Sequence, residues 1–218
     1  YDMKLLDIRL STGAPEDLTG LPHFENGIAK FMPFDMFPVE GTPVPEGKNG
    51  WIIFLDEFNS APKAVVAAAY KLILDRMVGL NKLHDQVMIV AAGNLDTDRA
   101  ITNNVGTAMQ SRLCHLEVEA DLKEWMGWAN ENQFHYLVTS YLDFRPDCFY
   151  TFKADHTDKT YASPRTWEGA DRLIKKCGIT PDLQPLLIGQ LGRGVGSEFY
   201  AFCLLKDLQD CQCSCIDI

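Results

Sequence analysis

The run Trp51-Ile52-Ile53-Phe54-Leu55 sets large apolar residues side by side and then breaks into two adjacent carboxylates, Asp56 and Glu57. An unbroken apolar stretch of this length predicts a strand buried on both faces of a parallel sheet. A second such run, Gln86 to Ala92, ends in Gly93 and the amide Asn94. Between the two, Ser60 is expected to cap a helix with Pro62 in its early turn, and good helix formers continue from Ala64 to Met77. Residues 4 to 10 predict a further strand, and a last one is expected near Cys114 to Val118. Residues 20 to 50 read as a Pro- and Gly-rich connection carrying Phe24, Phe31, Phe34 and Phe37. A loop of that length is unusual in a compact domain unless it has a function, which makes it a candidate substrate or partner surface.

After Glu119 the pattern changes. Leu122, Trp125, Met126 and Ala129 form one helical stripe, followed by helical stretches at Phe134 to Leu142, from Pro164 onward, at Asp182 to Ile188 and at Glu198 to Lys206. Gly189 to Ser197, with Gly192, Gly194 and Gly196, reads as a flexible turn between two of these helices. The expected organisation is therefore an α/β unit over residues 1 to 119 and a mostly helical one over 120 to 218.

In open α/β sheets ligands bind beyond the carboxyl ends of the strands. Asp56 is placed to hold a metal such as Mg²⁺, and Glu57 to polarise an attacking water. With the strand before them they form the Walker B pattern of a P-loop ATPase. Asn94, at the end of the next strand, is placed like the sensor 1 residue of AAA+ ATPases. Asp7-Ile8-Arg9-Leu10-Ser11, Glu16-Asp17-Leu18-Thr19-Gly20-Leu21-Pro22, Ser111-Arg112-Leu113 and Ser163-Pro164-Arg165-Thr166-Trp167-Glu168 continue the match. Together they resemble the MoxR-like branch of the AAA+ ATPases, from about the first residue to about residue 180.

The resemblance implies a P-loop NTPase core, a parallel sheet flanked by helices, followed by a small α-helical lid, with ATP and Mg²⁺ in the cleft between them. It implies that Asp56 holds the metal, Glu57 is the base, Asn94 reads the water or γ-phosphate, and Arg165 is the sensor 2 arginine. Arg112 becomes the finger that reaches a neighbouring subunit's nucleotide, although Leu113 stands where the family more often has an aromatic residue. It also implies self-assembly into a ring, expected to be a hexamer, which remodels or activates a client; a von Willebrand factor A-type protein is one client class. The connection at 20 to 50 corresponds to an insert facing the ring's pore.

No G-x-x-x-x-G-K-[ST] occurs in the sequence. Gly41 to Asn49 has the wrong glycine spacing and leads into a strand, so it cannot wrap phosphates onto a helix N-terminus. The resemblance places the phosphate loop just upstream of Tyr1, the chain being a fragment. Taken at face value, the missing loop leaves a second reading, a non-hydrolysing scaffold of AAA+ shape. A metal-dependent hydrolase using Asp56 and Glu57 alone lacks further ligands.

Composition narrows the partners. The 218 residues are 46% hydrophobic with a net charge of −10, which argues against sequence-independent nucleic-acid binding and favours protein partners. No apolar run reaches the length of a membrane span and no signal peptide is visible. Seven cysteines at irregular positions describe no disulfide framework, and a reducing cytoplasm is the simpler inference. Cys211, Cys213 and Cys215, with Cys203 upstream, have no zinc-knuckle spacing. His23, His84, His115, His135 and His156 pair with no nucleophile at a recognisable spacing.

Overall fold

The computed structural model describes residues 2–95, 107–155 and 158–213, the side chains of 107, 108 and 207–213 excepted. The chain divides into two compact units, residues 1–115 and 116–218, a few residues ahead of the composition change at Glu119. Among the described residues no helix is long and apolar enough to cross a membrane.

The first unit is built on a parallel sheet of β1 (Lys4–Arg9), β4 (Trp51–Asp56) and β7 (Val87–Ala91), with β4 in the middle. Register is in phase throughout: Leu5, Ile52 and Met88 are partners, as are Ile8 with Leu55 and Arg9 with Asp56. Side chains alternate along β4. Trp51, Ile53 and Leu55 are buried against Val65, Val66 and Ala69 of α2 (Lys63–Tyr70) and Leu18 of α1 (Pro15–Thr19). Each such burial contributes on the order of 1.5–3 kcal/mol. The opposite row is not buried: Leu5, Met88 and Val90 are exposed, and Ile52 and Phe54 intermediate. Among the described residues the expectation of a strand buried on both faces is corrected, because periodicity in a continuous apolar run cannot reveal which of its two rows meets a helix.

The helix after β4 also differs from its expected form. Ser60 lies in a short 3₁₀ turn, Phe58–Ser60, and Pro62 is the residue that precedes the first helical turn, with no side-chain cap. The helix does not run to Met77. It passes into a π turn at Lys71–Asp75, stops where Arg76 adopts a left-handed conformation (φ 54°), and gives way to β5 (Met77–Val78) paired with β6 (Asn81–Lys82). The Arg76 guanidinium holds this exit by donating to the carbonyls of His84 and Val87 at 3.2 and 2.8 Å.

Residues 20 to 50 are not all loop. They open with a hairpin, β2 (Leu21–Glu25) and β3 (Ile28–Met32), joined by Asn26-Gly27 with φ 51° and 75°. Asn-Gly between short strands is the preferred chemistry for a two-residue hairpin turn. Of the four phenylalanines, Phe37 is buried in the core, whereas Phe24, Phe31 and Phe34 are exposed. The strand expected near Cys114 to Val118 does not form: these residues pair with no ladder, and Leu116 and Val118 are almost fully exposed.

The second unit is helical: α4 (Leu122–Glu131), α5 (Tyr136–Phe144), α6 (Pro164–Cys177), α7 (Leu183–Leu191) and α8 (Arg193–Cys213), α3 (Thr107–Gln110) belonging to the first. Trp167 is its centre. It is fully buried, stacks edge-on with Phe199 at 5.1 Å, and donates its indole N–H to the Cys148 carbonyl at 3.1 Å. Asp121 caps α4 by accepting from the Glu124 N–H at 2.8 Å, and Ser163 caps α6 reciprocally with Thr166. The glycine-rich stretch is a tight corner rather than a flexible turn. Only Gly192 separates α7 from α8, and Gly196 lets the helices close up, since a Cβ there would lie 2.5 Å from the Leu187 carbonyl oxygen. Cys203 is buried in this core, which pushes its thiol up to about 12; it is a packing residue. The side chains of Cys211, Cys213 and Cys215 lie outside the described residues.

Candidate functional site

Three strand ends converge in the first unit. β1 delivers Arg9 and then Ser11, β4 delivers Asp56 and Glu57, and β7 leads to Gly93 and Asn94. The β4–β7 ladder is prolonged past both strands: the Ala92 N–H donates to the Leu55 carbonyl and the Phe58 N–H to the Ala92 carbonyl, each at 2.9 Å. Asp56, Glu57 and Asn94, expected from sequence to act together, thus occupy adjoining strand ends.

Glu57 has φ 55° and ψ 37°. A non-glycine residue in the left-handed region is unfavourable, and such residues gather at sites where side-chain direction matters more than backbone comfort. The turn aims the carboxylate back along β1. Oε2 accepts a hydrogen bond from the Ser11 hydroxyl, and Oε1 lies 3.8 Å from Arg9 Nε. Asp56 Oδ1 accepts from the Glu57 N–H at 2.9 Å, and Oδ2 lies 3.6 Å from Arg9 Nη2. Arg9 therefore faces both carboxylates. It is largely exposed, and at those distances the attraction is modest.

The far wall is Asn59 and Asn94. Asn59 Nδ2 donates to the Asn94 carbonyl at 2.6 Å, and Asn59 Oδ1 accepts from the Asn94 N–H at 3.1 Å. Gly93 permits this approach, because a Cβ there would sit 2.4 Å from Asn59 Oδ1. The Asn94 side chain is exposed and makes no hydrogen bond among the described residues. The sequence pattern assigns neither Ser11 nor Asn59 a role. The signal available was their position, one just past β1 and the other just past the carboxylate pair.

Arg112 is exposed in the turn after α3, its N–H on the Met109 carbonyl at 3.0 Å. Arg165 belongs to the second unit, in the first turn of α6 directly after Pro164, and is exposed with no hydrogen bond or ion pair among the described residues. A cation at the positive end of a helix dipole is unfavourable, so local stability does not account for it.

The donor set suits a hard cation held largely by water. Mg²⁺ takes one or two carboxylates and keeps several waters, and the Asp56 side chain is about one-third exposed at 32%. Among the described residues no group of three His, Cys, Asp or Glu side chains could form a protein cage.

No family model and no curated protein matches the chain. Among solved structures it is similar to a protein of Cytophaga hutchinsonii described as a candidate ATPase, at 18% identity and a TM-score of 0.39. The match covers 86% of this chain and 51% of the other, so the chain spans about half the length of that neighbour. At that identity and superposition, function is left to the residues themselves.

Proposed function

We propose that the chain is the Walker B and lid portion of a MoxR-like AAA+ ATPase that binds and hydrolyses ATP with Mg²⁺ and works on a partner protein as a ring. The observation that carries this reading is Glu57, held in a left-handed turn beside Asp56 at the carboxyl end of the central parallel strand. Asp56 would hold the metal through water, and the metal, when bound, neutralises phosphate charge. Glu57 takes a proton from the attacking water, which needs its carboxylate released from Ser11 or shared with it. Asn94 orients that water through an amide that has no other hydrogen bond among the described residues. Arg165 fits a phosphate-reading role, since nothing described in its own unit pairs with it. Arg112 is assigned to the neighbouring subunit's nucleotide by resemblance.

The test is phosphate release from Mg-ATP by the native-length protein over a range of concentrations. Turnover per chain that rises with concentration is expected of an assembling ATPase. Absence of turnover at every concentration would favour the non-hydrolysing scaffold.

A further inference from the structure

The second unit contains a cavity of about 490 Å³ formed where residues of the stretches 147–153 and 158–161 meet the corner between α7 and α8. Its volume lies in the range of small-molecule sites, and none of its lining belongs to the strand-end site. One wall is aromatic: Tyr150, Phe152 and Tyr161 contact one another, with Phe152 and Tyr161 centroids 4.9 Å apart.

The lining carries two cations and two carboxylates, and the two kinds differ in how they are engaged. Lys153 and Arg193 both line it, and neither side chain makes a hydrogen bond or ion pair among the described residues. Asp147 also lines it and is paired with Arg145, whose guanidinium donates to both carboxylate oxygens at 2.9 and 2.8 Å and also pairs with Glu198. Asp158 lines it as well and has an interaction of its own. Two uncommitted cations thus face a site in a chain of net charge −10. The opening residues of the 21-residue α8, Arg193, Gly194 and Val195, complete the lining. Their N–H groups have no partner within the helix, and the helix dipole adds positive potential.

We propose that this cavity binds a small organic anion with a planar ring, the ring against Tyr150, Phe152 and Tyr161 and the anionic group between Lys153, Arg193 and the start of α8. Ring stacking and charge-assisted hydrogen bonds are separately favourable, so a ligand combining both exceeds either part alone.

The test uses the full chain and 1-naphthyl phosphate, a planar dianion, titrated by fluorescence polarisation, with its separated halves compared as 1-naphthol titrated in the same way and inorganic phosphate added as a competitor. Saturable binding of 1-naphthyl phosphate, tighter than either half, is expected. Lys153 and Arg193 are exposed, so K153Q/R193Q should keep the fold while weakening binding about tenfold or more. Gly194→Glu introduces a negative charge where a Cβ meets nothing within 4 Å and should weaken it similarly. Binding unaffected by K153Q/R193Q, equal binding of 1-naphthol, or no saturable binding would each overturn the proposal.

Discussion

The carboxamide of Asn59 closes on the backbone of Asn94 with both of its polar atoms, donating to the carbonyl at 2.6 Å and accepting from the N–H at 3.1 Å. This clasp ties the turn after β4 to the end of β7 and sets where the Asn94 side chain begins. Asn59→Ala should cost about 1–2 kcal/mol, two hydrogen bonds at their usual net worth. Gly93→Ala should break the same clasp by collision, so the double variant should cost clearly less than the sum of the singles. Urea denaturation of the three variants checks this; strict additivity would mean the two residues act independently.

The left-handed backbone of Glu57 makes a comparison available that separates conformation from charge. Glu57→Ala and Glu57→Gly both remove the carboxylate and its hydrogen bond from Ser11. Only alanine retains the left-handed penalty, so Glu57→Gly should be the more stable of the two by about 1 kcal/mol. Thermal denaturation gives the difference; an alanine variant equal to or better than glycine would contradict the backbone assignment.

The sheet and its strand-end residues were legible because a long apolar run ending in carboxylates is a strong local signal. What escaped was set by tertiary contact or by turn chemistry. The sequence of β4 does not say that Ile52 and Phe54 face away from α2, since both rows are equally apolar. The Asn26-Gly27 hairpin carried its own signature and was hidden by the surrounding prolines and glycines. The end of the helix at Arg76 depends on carbonyls of His84 and Val87, which no local window contains. Glycines 192 to 196 read as loop, whereas Gly196 is there so that α8 can pack against α7.

The second unit should lose stability as the solution is acidified through the histidine range. Burial holds His135 below its ordinary value, with Asp171 opposing and Lys175 adding to the shift. Neutral His135 accepts the Leu137 N–H on Nδ1 at 3.3 Å and caps α5. Because the folded pKa is lowered, this contribution is complete above the unfolded value of about 6.5 and is lost as pH falls through the folded one. His135→Asn keeps a capping acceptor that does not titrate. Denaturation midpoints at pH 7.5 and 5 should therefore fall less in His135→Asn than in the wild type; equal falls would remove His135 as a source.

Arg165 opens α6 against the helix dipole. Replacing it by glutamine should stabilise the second unit by about 0.3–1 kcal/mol while lowering ATP turnover if the residue reads phosphate. Paired measurement of melting temperature and phosphate release checks both signs. A variant that loses stability and keeps its turnover would return Arg165 to an ordinary surface role.

The central claim rests on Glu57 as the group that takes the proton from water. The most direct test is Glu57→Gln in the native-length protein, with Mg-ATP affinity and phosphate release measured on the same preparation. The proposed function predicts affinity within a few-fold of wild type and turnover reduced by about a hundredfold or more, the usual scale for a general base. Wild-type turnover in Glu57→Gln would contradict it.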